Sequence, residues 1–90
     1  MELARVERAE AGVRAALAAA GLTARDLRVR DLGERASIEV DAALLEDALS
    51  PASDVRRSVL DAVMAAGFDA ADLDPRGFRS GSLNDALTKD

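Results

Sequence analysis

Residues 27–40, LRVRDLGERASIEV, alternate so strictly that they leave little choice of local structure. Leu27 and Val29 are separated by Arg28 and followed by Arg30, while Ala36, Ile38 and Val40 are interleaved with Arg35, Ser37 and Glu39. A period of two sends successive side chains to opposite faces of a strand. Each run is therefore expected as a half-buried strand with one apolar and one polar face. Gly33 marks the turn. A two-residue Gly33–Glu34 turn of type II′ sets Arg28 opposite Glu39 and Arg30 opposite Ser37. A four-residue turn would set Arg28 opposite Ser37 instead. The first is preferred because glycine stands at the position where a type II′ turn needs it.

The flanking segments have the other period. Leu3, Val6, Ala9, Val13, Ala16, Leu17 and Ala20 recur at three- and four-residue steps, one helical face over about 2–20. Gly21 follows where a helix C-terminus favours a left-handed residue. After the hairpin, Asp41 is placed to cap a short helix over 42–49. Ser50-Pro51 then reads as the N-cap and first position of another helix. Its buried stripe is Val55, Val59 and Val63, flanked by Leu60 and Met64, and Gly67 ends it. Phe68, Ala71 and Leu73 lead into a third extended segment that Pro75 stops. The expected order is α-β-β-α-α-β, an α+β domain in which helices cover a small sheet made of a hairpin and a third strand. A single domain, 1–90, accounts for the whole length. The nonapeptides AAGLTARDL (19–27) and AAGFDAADL (65–73) match at six of nine positions. Shared helix-end chemistry and duplication both account for that echo.

Composition narrows the function. There is no cysteine or histidine, so thiol chemistry, the usual zinc sites and any histidine-based triad are excluded. The aromatic residues are Phe68 and Phe78 alone, so the core rests on small aliphatic side chains and would gain from oligomer contacts. The net charge is −5, and of 12 basic residues only Lys89 is a lysine. An acidic chain without stacking aromatics is not expected to bind nucleic acid. No apolar run approaches membrane-spanning length, and no apolar signal region follows Met1, so a cytoplasmic protein is expected.

Arg28 and Arg30 project from one face of a strand, roughly 7 Å apart from the rise per residue. Two guanidinium forks at that spacing can share a phosphate or carboxylate. The competing reading pairs Arg28 with Glu39 across the hairpin and leaves the other arginine solvated. Near the end, RGFRSGSLND (76–85) sets Phe78 among arginines, glycines and serines. Arg79-Ser80-Gly81-Ser82 offers donors on a permissive backbone, a candidate anion nest or simply a turn. Asp61, Asp69, Asp72 and Asp74 fit no calcium loop and read as a solvated acidic face. No nucleophile–base pair can be assembled, so the chain alone is not expected to be catalytic.

These motifs, taken together, resemble the C-terminal region of LarE-type ATP-dependent sulfur transferases of the PP-loop family. Members carry an R-x-R-x-H-G-x-x-A-R-I-E strand pair and a G-F-x-x-V-x-x-D-x-x-G-Y-R-x-G-S-M-N-E ending. Here these become Arg28-Val29-Arg30, Gly33 and Ala36 to Glu39, then Gly67-Phe68, Asp74 and Gly77-Phe78-Arg79-Ser80-Gly81-Ser82-Leu83-Asn84. The opening LARVERAEAGVRAALAAAGL is similar to the helix before that strand, so the likeness spans nearly the whole chain. Departures are as informative. The S-G-G-x-D-S pyrophosphate loop and the sulfur-chemistry cysteines are absent, the turn histidine is replaced, and Ser37 and Phe78 stand where arginine and tyrosine occur. The resemblance implies an accessory module that completes the active site of a separate PP-loop protein. Arg28 and Arg30 would bind an anion, and Glu39 would be an acidic site residue of unassigned role. Phe78, Arg79, Ser80, Ser82 and Asn84 would make partner or tail contacts. ATP and Mg would belong to the PP-loop partner, with none bound by this chain alone. Alternatives are a self-associating structural domain and a fragment of a longer LarE-like enzyme.

Overall fold

A computed structural model describes residues 3–46 and 48–78. Its elements are α1 (Leu3–Ala19), β1 (Leu27–Asp31), β2 (Arg35–Val40), α2 (Ala42–Glu46), α3 (Asp54–Ala65) and β3 (Ala70–Leu73). The three strands form one sheet in the order β1-β2-β3, with β1 antiparallel and β3 parallel to β2. This is the expected α+β order. The register is that of the two-residue turn: Arg28 faces Glu39, Val29 faces Ile38 and Arg30 faces Ser37. Leu32 N–H donates to Arg35 C=O at 2.9 Å, and Gly33 has φ +99°. No other residue of the turn has a positive φ, as a type II′ geometry requires.

One face of the sheet makes the core. Val29, Ala36, Ile38, Val40 and Leu73 are buried against Ala9, Val13 and Leu17 of α1 and Val59 and Val63 of α3. The two helices approach closely at Gly12, where a Cβ would lie 3.1 Å from that of Ala62. Small residues here let the helices share one side of a three-stranded sheet. At α1's end Gly21 N–H donates to Ala18 C=O and Leu22 N–H to Leu17 C=O, with Gly21 at φ +78°. That is a Schellman closure, and it satisfies the last carbonyls. The echoed nonapeptides superimpose the ends of α1 and α3, Ala19 on Ala65, and then part. β1 begins at Leu27, whereas β3 ends at the equivalent Leu73.

The boundaries of α2 and α3 differ from expectation. The first stops at Glu46, with Leu49 N–H donating to Leu44 C=O beyond it. The second starts at Asp54 with Ser53, not Ser50, as N-cap. Ser53 Oγ accepts from the amides of Val55 (3.0 Å) and Arg56 (3.2 Å) and donates to Ala48 C=O (2.6 Å). Ser50 to Ser53 instead close a turn, with Ser53 N–H donating to Ser50 C=O and Pro51 supplying its fixed φ. Of two competing serines, Ser53 has an acidic residue after it in the first helical turn, and its hydroxyl also bonds Ala48 C=O.

Asp41 also departs from its expected task. Its carbonyl accepts the first bonds of α2, but its carboxylate reaches back to the amides of Arg25 and Asp26 at 3.0–3.2 Å. Burial opposes its charge, yet those amides and the nearby Arg25 outweigh it, and the carboxyl sits below its ordinary range. A lowered folded-state pKa contributes stability that is full above the unfolded value and fades as pH falls through the folded one. Asp41→Asn should therefore flatten the acid limb of the stability curve below about pH 4. Acid titration followed by circular dichroism tests it; an unchanged acid limb would remove Asp41 from that role.

Candidate functional site

The sheet's second face carries no helix among the described residues. Arg28 and Arg30 on β1, Arg35, Ser37 and Glu39 on β2, and Ala70 and Asp72 on β3 share it by register. The arginines are exposed, as alternation requires, but Glu39 is only 7% exposed. A buried carboxylate needs compensation. Arg30 supplies it, its Nε donating to Glu39 Oε2 at 2.5 Å. The pair is diagonal, within reach of a long side chain on a neighbouring strand. The expected Arg28–Glu39 pair does not form. Arg28 turns instead to Phe78, its guanidinium carbon 5.6 Å from the ring centroid, a cation–π distance.

The chain after β3 delivers that ring. Asp74 N–H donates to Ile38 C=O at 2.8 Å, carrying the β3 path past the strand's end. The Asp74 carboxylate accepts from Arg76 N–H at 2.9 Å and from its guanidinium at 3.2 Å. Gly77 then adopts φ +76°, and a Cβ there would lie 2.9 Å from the carbonyl oxygen of Val40. Only glycine fits, which explains the glycine before Phe78. Phe78 N–H donates to that same Val40 carbonyl at 2.6 Å. The segment to Phe78 is thus a tied turn. Arg79, Ser80, Ser82 and Asn84 lie outside the described residues.

The remaining charges on this face are matched. Arg35 and Asp72 pair at 2.8 Å, both well exposed, a contact of about 0–1 kcal/mol. The Arg76 guanidinium is held above its ordinary range by the hydrogen bond and charge of Asp74, with Glu39 adding to it. Arg35, Ser37, Asp72, Asp74, Pro75 and Arg76 line a shallow groove beside these pairs. Of the face's arginines, Arg28 has no acidic partner among the described residues. The acidic cluster is dispersed: Asp72 serves Arg35, Asp74 serves Arg76, and Asp61 belongs to α3. Among the described residues no three acidic side chains gather as a metal site.

A second constellation, unforeseen from the sequence, lies at Arg5. Its Nη1 donates to Gly67 C=O (3.0 Å), and its Nη2 to Gly33 C=O (3.0 Å) and Asp31 Oδ2 (2.7 Å). Its guanidinium carbon sits 4.0 Å from the Phe68 centroid. Arg5 holds the hairpin turn and the end of α3 to α1, so it fixes the strand that presents Arg28. The signal was faint: an arginine one position before Val6 on the α1 face. Among the described residues no helix is long and apolar enough to cross a membrane. No protein-family model matches this chain, and no curated protein matches it.

Proposed function

We propose that this chain is an accessory module of a LarE-like, PP-loop ATP-dependent sulfur transferase, working in the cytoplasm. It would dock the open face of its sheet beside the partner's nucleotide site. The supporting observation is Arg28: among the described residues every other arginine on that face has a carboxylate, and this one has none. It lies in the R-V-R run and is held by the G-F step of the tail, the two motifs that carry the family resemblance.

In this reading Arg28 meets a phosphate or adenylate oxygen bound by the partner. Its planar fork gives two parallel donors, stronger than neutral hydrogen bonds. Arg30, paired with Glu39, is neutralised beside it and is not itself offered to the anion. ATP and Mg are held by the PP-loop protein. Arg79, Ser80, Ser82 and Asn84 would supply further contacts to that protein or to a second copy, in a homo- or hetero-oligomer. With a net charge of −5, neither nucleic acid nor a membrane surface is a partner.

Arg28→Ala, made in the co-expressed pair, should lower the partner's ATP-dependent turnover by at least about tenfold, the scale of one charge-assisted hydrogen bond. Arg35→Ala, on the same face but already paired, should leave it near wild type. Equal activity of all three proteins would rule out an anion-binding task for this face and favour a purely structural module.

A further inference from the structure

We infer that Phe78 is a positioning residue: it holds Arg28 away from Glu39 so that one guanidinium on this face stays available to an anion. This rests on the reading of Arg28 as the anion contact. Arg28 stands directly opposite Glu39, a buried carboxylate, and Arg30 only diagonally. By proximity alone Arg28 should win the pair. It does not, because the Phe78 ring offers its electron-rich face at 5.6 Å and Arg30 takes the carboxylate at 2.5 Å. Attraction through a ring face leaves the five N–H donors at the guanidinium edge uncommitted.

The turn is built to put the ring there. Asp74 binds the backbone and guanidinium of Arg76, Gly77 takes a conformation closed to other residues, and the Phe78 amide bonds Val40 C=O. Val40 adjoins Glu39 on β2, so ring placement and carboxylate placement are fixed by the same strand. The aromatic ring thereby decides which arginine is neutralised and which is offered.

The full chain can test this with inorganic pyrophosphate as the probe and the arginine Nε–Hε resonances as the reporter. Wild type should show pyrophosphate-induced shifts at Arg28, lost in Arg28→Ala. Phe78→Leu, which keeps apolar bulk but no ring, should bind pyrophosphate about two- to five-fold more weakly. Its Arg28 Hε signal should move towards a carboxylate-bonded position even without the probe. Phe78→Tyr should restore both readouts, and Gly77→Ala, which displaces the ring without removing it, should mimic Phe78→Leu. Wild-type affinity and an unmoved Arg28 signal in Phe78→Leu would overturn the positioning role. If wild-type Arg28 does not respond to pyrophosphate at all, the anion-contact reading falls and this inference with it, a distinguishable result.

Discussion

Ile38→Ala should be the most damaging single truncation in the described chain, costing about 2–5 kcal/mol. Ile38 is fully buried on the central strand, facing Val29 of β1 on one side and Leu73 of β3 on the other. Removing its side chain opens a cavity that borders both neighbouring strands and the two helices above them. A domain of this size has only about 5–15 kcal/mol in hand, so a large share of its stability would go. Urea unfolding should show a much lower midpoint for Ile38→Ala and a loss of about 0.5–1.5 kcal/mol for Ile38→Val. Equal midpoints would mean that the core does not close over the sheet centre.

Arg5→Ala is expected next, at about 2–3 kcal/mol, although an arginine near a helix start is an unusual place to look. The loss comes chiefly from the carbonyls of Gly33 and Gly67, which give up a charged donor, and from the stack on Phe68. The Asp31 pair, its side chains 19% and 27% exposed, is screened by solvent and adds little of its own. Asp31 itself is kept below its ordinary range first by the hydrogen bond from Arg5 and then by the Gly33 amide. Arg5→Lys should recover little, because a point charge cannot serve two separate carbonyls and lie flat on a ring. Denaturant curves for the three proteins decide it. A lysine variant as stable as wild type would reduce the role of Arg5 to its charge.

How far the sequence foretold this molecule depends on which interactions set each part. The hairpin was legible because alternation fixes the face and a single glycine fixes the turn, leaving one register. The stripe of α3 was legible for the same reason, with Val59 and Val63 buried where the period put them. Starts and stops were harder. Ser50 and Ser53 both satisfy local N-cap rules, and a tertiary bond from Ser53 to Ala48 separates them. Asp41 likewise had a local offer in α2, but took a more distant one in the 25–26 loop.

The site was half legible. Alternation placed Arg28, Arg30 and Glu39 on one face, where they lie. Which arginine pairs with Glu39 depends on Phe78, nearly forty residues later in the chain, and no local rule brings that ring to β1. Arg5 is the same case: its four contacts lie in two distant parts of the sequence, 31–33 and 67–68. Parallel pairing of β3 with β2 also needs long-range information, and it is what aims the Asp74–Phe78 turn across the end of β2.

The most direct measurement is co-purification. The chain, tagged and co-expressed with a protein that carries the S-G-G-x-D-S loop but lacks this region, is passed over an affinity column and then sized. A stoichiometric complex is expected, with hydrogen exchange slowed on β1, β2 and the 74–78 turn, and not on the exposed side of α1. A chain that elutes only with itself, or a complex that protects α1 and leaves the open sheet face unchanged, would contradict it.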